Sequence, residues 1–378
     1  QHPNIDIQWG NHDILWLGAA AGSAACIFTV LRISSDYGNT MTLERRYGVS
    51  LRPLAQFCER VYGASDKKAM HQALSVLGFK LEGRIIMRHP GYEMNDRLML
   101  YRINYEDWTV ELDSGVYPLN THDFPTVDPA DPYRLTDEEQ ELVDEYVSAF
   151  KESQPLRRHL DFIYQKGSTY LCCNGNLLYH GCIPMTEDGE FLKLSIGCKE
   201  LSGKAFLDYA EKTARKAYYD KPGSPERQFG MDFLWWLWAG RNSPIFGRDR
   251  MTTFERRFIK DEDTWTEPKN AYYRLYNDPQ VCDRILKEFG LEGEHCHIIN
   301  GHIPVKSKKG ESPIKGGGKL IVIDGGFCRA YQPTTGIAGY TLIYNSNCIR
   351  IVSHQPFAGR RNAIRENVDI ASSSEVFE

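Results

Sequence analysis

Apolar Ile5, Ile7 and Trp9 alternate with Asp6 and Gln8, a period of two that predicts a short strand ending near Trp9. Gly10 then turns the chain, and residues 14–31 follow without a charge. That length nominally suits a membrane span. Its centre, from Gly18 to Ala25, is small rather than greasy, and Asp13 and Arg32 bound it, so a single buried core helix is expected. Residues 51–62 and 65–77 read as a helical pair, with Gly63 and Gly78 as stops. Residues 98–103 and 108–112 predict a hairpin across Tyr105-Glu106-Asp107. Three prolines within 123–132 mark a loop or lobe boundary.

Thr136, with Glu139 three residues on, forms a capping box. Leu142, Val143, Tyr146, Val147 and Phe150 then make one apolar helical face. The acidic cluster Asp137, Glu138, Glu139 and Glu141 complements the helix dipole without needing a ligand. Leu177-Leu178-Tyr179 is strand-like, a helix is expected over about 203–217, and an aromatic run follows at 233–238. The last third reads β-rich, at 297–299, 320–323, 339–344 and 348–352. Nothing after Phe357 shows a core pattern, so a mobile tail over 358–378 is expected.

A chain of 378 residues exceeds the usual single core, which implies two lobes or a core with a large insertion. The hydrophobic fraction of 42% is that of an ordinary soluble protein, and a net charge of -5 without a basic stripe argues against nucleic-acid binding. Ten scattered cysteines contain no Cys-x-x-Cys pair, so buried free thiols in a reducing cytoplasm are expected. The expected protein is soluble and cytoplasmic, with no membrane partner.

Asn11-His12 follows the first strand, and two more histidines follow strand-like endings, Tyr179-His180-Gly181 and Asn300-Gly301-His302. Divalent metals for phosphate-ester hydrolysis take hard oxygens with a few imidazoles. Asn11, His180 and His302 would suffice for one metal, and His12 would be the general acid toward the leaving oxygen. Taken alone, His180 and His302 each read more readily as hydrogen-bonded structural histidines than as ligands. Four such residues at three strand ends favour a site. His295 and His297 read as helix-end or strand residues.

Basic residues cluster at Arg241, Arg248, Arg250, Arg256 and Arg257, and at Lys306, Lys308, Lys309 and Lys315. Arg suits bidentate phosphate contacts and Lys serves as a point charge. Arg241, Arg248, Lys306 and Lys315 are the candidates for binding a sugar phosphate. Gly316-Gly317-Gly318-Lys319 is no P-loop, because Leu320 stands where Ser or Thr is needed and Lys319 opens a strand. A solvent hairpin or flap is expected there.

The run Trp9-Gly-Asn-His-Asp-Ile-Leu-Trp-Leu-Gly-Ala-Ala-Ala-Gly-Ser23 resembles the class III, Firmicutes-type fructose-1,6-bisphosphatases. So do Phe124-Pro-Thr-Val-Asp-Pro129, Leu177-Leu-Tyr-His-Gly-Cys-Ile-Pro184, Ser243-Pro-Ile-Phe-Gly247 and Met251-Thr-Thr-Phe-Glu-Arg256. The resemblance continues through Ile299-Asn-Gly-His-Ile-Pro-Val-Lys306, Gly310-Glu-Ser-Pro-Ile-Lys315, Ile323-Asp-Gly-Gly-Phe327 and 336–345. It implies an α/β fold, a calcineurin-like metallophosphatase β-sandwich flanked by helices, with a large α+β insertion. On that reading 1–40 and 171–357 belong to the metallophosphatase core and 41–170 is the insertion.

The resemblance implies Mn2+ held by Asn11, His180 and His302, with His12 as proton donor. It also implies fructose 1,6-bisphosphate as substrate, hydrolysed by a two-metal site in gluconeogenesis. The family's Asp-x-His and Gly-Asp-x-x-Asp-Arg-Gly motifs do not occur in this sequence. The chain is therefore expected to be the C-terminal part of such an enzyme, a fragment whose partner is the N-terminal half or a homo-oligomer. The alternatives are another phosphoesterase on the same core, or a noncatalytic chain that binds metal or sugar phosphate.

Overall fold

The computed structural model describes residues 4–196, 199–324, 332–337, 339–357, 359–367 and 372–376. The chain is mixed α/β and divides into two compact units. One comprises Gln1–Ser168 and Leu192–Asn270, the other Thr169–Phe191 and Ala271–Glu378.

In the first unit β1 (Ile7–Gln8) leads through Gly10 into α1 (Asn11–Ala21), followed by α2 (Ala24–Asp36). The expected single helix over 14–31 is thus two. Gly22 takes φ 99°, and the amides of Gly22 and Ser23 turn back to the carbonyls of Ala19 and Gly18. Only glycine adopts that left-handed conformation without steric cost, so the helix ends there despite its unbroken apolar pattern. The small residues do bury: Gly18 faces Cys26 so closely that a Cβ there would lie 2.4 Å from its sulfur.

α3 (Arg52–Tyr62) stops at Gly63 as expected, whereas α4 (Lys67–Arg88) runs through Gly78 and Gly83. Gly83 serves packing, since a Cβ would fall 2.0 Å from the Tyr133 ring. The expected strand over 98–103 is mostly a 3-10 turn, Met99–Arg102. Only β2 (Ile103–Asn104) pairs, with β3 (Thr109–Leu112), and β3 pairs in turn with β4 (Gly115–Pro118), which the sequence pattern missed.

α5 (Asp137–Glu152) begins at the expected capping box. The Glu139 amide donates to Thr136 Oγ1 at 3.2 Å, and the Thr136 amide donates to Glu139 Oε2 at 2.9 Å. α6 (Gln154–Lys166) then delivers β5 (Gly167–Ser168), which pairs in parallel with β1. The chain leaves this unit for β6 (Tyr170–Cys173) and β7 (Asn176–Tyr179), and returns for the hairpin of β8 (Leu194–Ile196) and β9 (Lys199–Leu201). α7 (Gly203–Tyr219), α8 (Pro225–Ala239) and the short α9 (Thr253–Phe258) complete it. The aromatic run 233–238 lies inside α8, buried against α1 and α7.

The second unit is built on a five-stranded sheet. α10 (Tyr272–Leu275) and α11 (Pro279–Glu288) lead to β10 (His297–Asn300), β11 (Ile314–Lys315) and β12 (Leu320–Val322), giving the order β11-β12-β10-β7-β6. β7, β10 and β12 are parallel, and β6 and β11 add antiparallel edges. All four residues of β10 are buried, as suits a central parallel strand. The glycine run 316–318 forms the tight turn of the β11–β12 hairpin, as expected.

After α12 (Gln332–Thr335), β13 (Gly339–Tyr344) and β14 (Ile349–His354) form an antiparallel pair. Beyond Phe357, where no core pattern was expected, the chain forms α13 (Arg360–Glu366) and β15 (Ser372–Val376). β15 adds a third strand beside β14. Among the described residues no helix is long and apolar enough to cross a membrane.

Candidate functional site

The expected site residues fall in both units: Asn11, His12, Arg241 and Arg248 in the first, and His180, His302, Lys306 and Lys315 in the second. Asn11 and His12 open α1 rather than a loop, with Gly10 as N-cap. Asp13 reaches back so that the Gly10 amide donates to its Oδ2 at 2.9 Å. The His12 ring meets the Trp238 ring edge-on, centroids 5.5 Å apart. Desolvation holds the His12 pKa below its ordinary value, against the upward pull of Asp13. Desolvation raises Asp13 in turn, opposed by the Gly10 amide and by His12. This environment favours neutral imidazole.

In the second unit β7 ends at Tyr179 and β10 at Asn300, and these two residues are Cα partners in the parallel ladder. The next residues on each strand carry His180 and Gly301-His302. The Gly301 amide donates to the His180 carbonyl at 3.0 Å. His180 Nε2 and His302 Nδ1 then lie 3.1 Å apart. Two nitrogens, each about 2.1 Å from one ion, would stand about 3.0 Å apart at a right angle and about 3.4 Å apart at the tetrahedral angle. The pair therefore fits two ligands of one divalent metal. Among the described residues no group of three His, Cys, Asp or Glu gathers closely enough to hold an ion.

The Firmicute fructose-1,6-bisphosphatase family model matches residues 1–378. The chain belongs to that family. A Clostridium novyi (strain NT) protein named fructose-1,6-bisphosphatase class 3 is 51% identical over 398 aligned positions, covering 100% of this chain and 60% of the relative. Its namesake in Clostridium acetobutylicum is 50% identical, covering 99% of this chain and 59% of that protein. The one in Clostridium tetani is 49% identical, with coverages of 100% and 60%. The chain thus spans about 60% of the length of these relatives. No solved structure matches.

In this member of the Firmicute fructose-1,6-bisphosphatase family, three of the four candidate phosphate-binding residues already face carboxylates. Arg241 pairs with Asp96 at 3.2 Å and Asp249 at 3.5 Å. Arg248 pairs with Glu267 at 3.6 Å, and Lys315 with Glu311 at 2.9 Å. Lys306 is exposed and makes no ion pair with a described residue.

Two residues near the histidine pair escaped the sequence reading. A Cβ on Gly301 would lie 3.7 Å from Asp324 Cβ and 4.0 Å from His180 Nδ1, so Asp324 flanks the same spot. Asp324 stands just past β12, and its carbonyl accepts from the Val305 amide at 2.8 Å. The sequence signal was its place in Ile323-Asp-Gly-Gly-Phe327, of which 325–327 lie outside the described residues. Asn300 is the other; its amide side chain is buried between the two histidine loops.

Proposed function

We propose that this chain supplies the part of a fructose 1,6-bisphosphate phosphatase that carries Asn11, His12, His180 and His302. The reading rests chiefly on the convergence of His180 and His302 at 3.1 Å on adjacent parallel strands. The names of the clostridial relatives support the substrate. His180 and His302 would hold a divalent ion such as Mn2+ within a calcineurin-like two-metal site. When bound, the metal supplies positive charge to the phosphoryl oxygens.

His12 gives its proton to the leaving sugar oxygen. Desolvation disfavours the imidazolium form, so a carboxylate beyond Asp13 is needed to hold that proton near neutral pH. Of the four candidates, only Lys306 makes no ion pair with a described residue, so a phosphate could meet it without displacing a carboxylate. Arg241, Arg248 and Lys315 would each have to leave a carboxylate.

The test is manganese-dependent phosphate release from fructose 1,6-bisphosphate. It is run with the chain alone and with a polypeptide bearing the Asp-x-His and Gly-Asp-x-x-Asp-Arg-Gly motifs. Release that His12→Ala abolishes supports the reading; none in a mixture shown to assemble overturns it. A second reading is binding of metal or sugar phosphate without hydrolysis. It is favoured by the lack of Asp-x-His and Gly-Asp-x-x-Asp-Arg-Gly motifs in this sequence.

A further inference from the structure

We infer that Asn300 and Tyr272 are positioning residues that set the geometry of the His180–His302 pair. Asn300 Nδ2 donates to the Gly181 carbonyl at 2.8 Å and to the Tyr272 hydroxyl at 3.0 Å. The Tyr272 hydroxyl bonds that of Tyr179 at 2.7 Å. Asn300, Tyr272 and Tyr179 are 3%, 0% and 4% exposed, so no water competes freely for these groups. One amide thereby grips the residue after His180, and through Tyr272 the residue before it, while itself standing two residues before His302.

The orientation of the amide is fixed by chemistry. The Gly181 carbonyl can only accept, so the nitrogen must face it. This leaves Asn300 Oδ1 buried without a partner. Such an orphan carbonyl costs stability.

His302 supplies the second observation. It sits at φ 68°, in the left-handed region that side chains seldom adopt. Such a conformation persists only where the surroundings over-determine it, and it clusters at functional sites. Directly before His302 the backbone is held by the Asn300 amide, the Gly301–His180 bond, and the Ile323 amide donating to the Asn300 carbonyl at 2.9 Å. The strain at His302 aims its Nδ1 at His180, and the Asn300–Tyr272 link holds the two loops in register while it does so.

This inference rests on the metal-site reading above only for its consequence. Groups that orient metal ligands typically change metal affinity about 10–100-fold when removed. The test compares the full chain with Tyr272→Phe, which deletes one hydroxyl and keeps the ring, and Asn300→Leu. Imidazole nitrogen NMR shifts of His180 and His302 are measured without metal. Mn2+ affinity is then measured by calorimetry, with His180→Ala as control.

The expected result is a changed His180–His302 imidazole signature in each folded variant, with Mn2+ bound on the order of tenfold more weakly. Unchanged imidazole shifts in folded Tyr272→Phe would overturn the inference, even if Asn300→Leu fails to fold. If the parent binds no Mn2+, or binds it as well with His180→Ala, the metal reading fails instead. The imidazole shifts still decide the positioning role in that case.

Discussion

The Lys80 ammonium lies 2.7 Å from Glu139 Oε2 with both side chains sealed from solvent, at 0% and 1% exposure. Lys80 also donates to the Thr126 carbonyl at 2.7 Å, within the proline-rich loop, while Glu139 caps α5. One buried pair thus ties α4, α5 and that loop together. Lys80→Met leaves a carboxylate buried without its cation, and the expected cost is about 3–5 kcal/mol. The double variant Lys80→Met with Glu139→Leu should recover part of that loss. Urea unfolding of the three proteins checks both; a single variant as stable as the parent would refute the claim.

Asp232 predicts the acid limb of stability. Burial pushes its carboxyl up, but hydrogen bonds from His89 and Arg88 outweigh this and hold it below the usual carboxylate range. The contacts are 2.8 Å to His89 Nε2, and 2.8 and 3.0 Å to Arg88. A depressed folded value means that the unfolded chain takes up the proton first as pH falls. The contribution is therefore complete above about pH 5 and lost progressively below about pH 4. Asp232→Asn should be less stable at neutral pH and flatter from pH 5 to 3, as measured by thermal melts across that range.

Gly18 sets the spacing of α1 against α2. Its Cβ position lies 2.4 Å from Cys26 Sγ and 3.4 Å from Leu234 Cβ. Gly18→Ala should destabilise by about 1–3 kcal/mol through overpacking. Shrinking the neighbour in Gly18→Ala with Cys26→Ala should restore part of that loss, as denaturant midpoints would show.

Thiol reactivity should sort by burial. Cys172 and Cys173 are exposed on the edge strand β6, whereas Cys26, Cys58 and Cys282 are buried, with thiols pushed up to about 12 by desolvation. A maleimide at neutral pH should mark Cys172 and Cys173 first and reach the buried three only after unfolding. Peptide mass spectrometry of the labelled native protein checks this; early labelling of Cys26 would contradict the packing of α1 on α2.

The elements read directly from the chain are those whose signals are local. Thr136 and Glu139 are three residues apart, so the capping box of α5 needed nothing from elsewhere. The apolar runs of β7, β10 and β12 were legible for the same reason. Gly22 and Gly78 reversed their expected roles because a glycine inside an apolar pattern does not reveal its backbone angle or what packs against it. Only the folded chain shows Gly22 left-handed and α4 continuing through Gly78.

For the site, the sequence by itself determined the chemistry: which residues bear imidazoles, and that His180 and His302 follow strand endings. The tertiary structure decided which of them meet. His180 and His302 are 122 residues apart and touch only because β7 and β10 pair in parallel, in a register that ends both strands together. Arg241 meets Asp96 across 145 residues, and Asn300 meets Gly181 across 119. Contacts over such separations are set by strand register and helix packing, which depend on the whole core at once. That is why the donors could be named from the chain, while their partners, and the buried amide between the two histidine loops, emerged only from the fold.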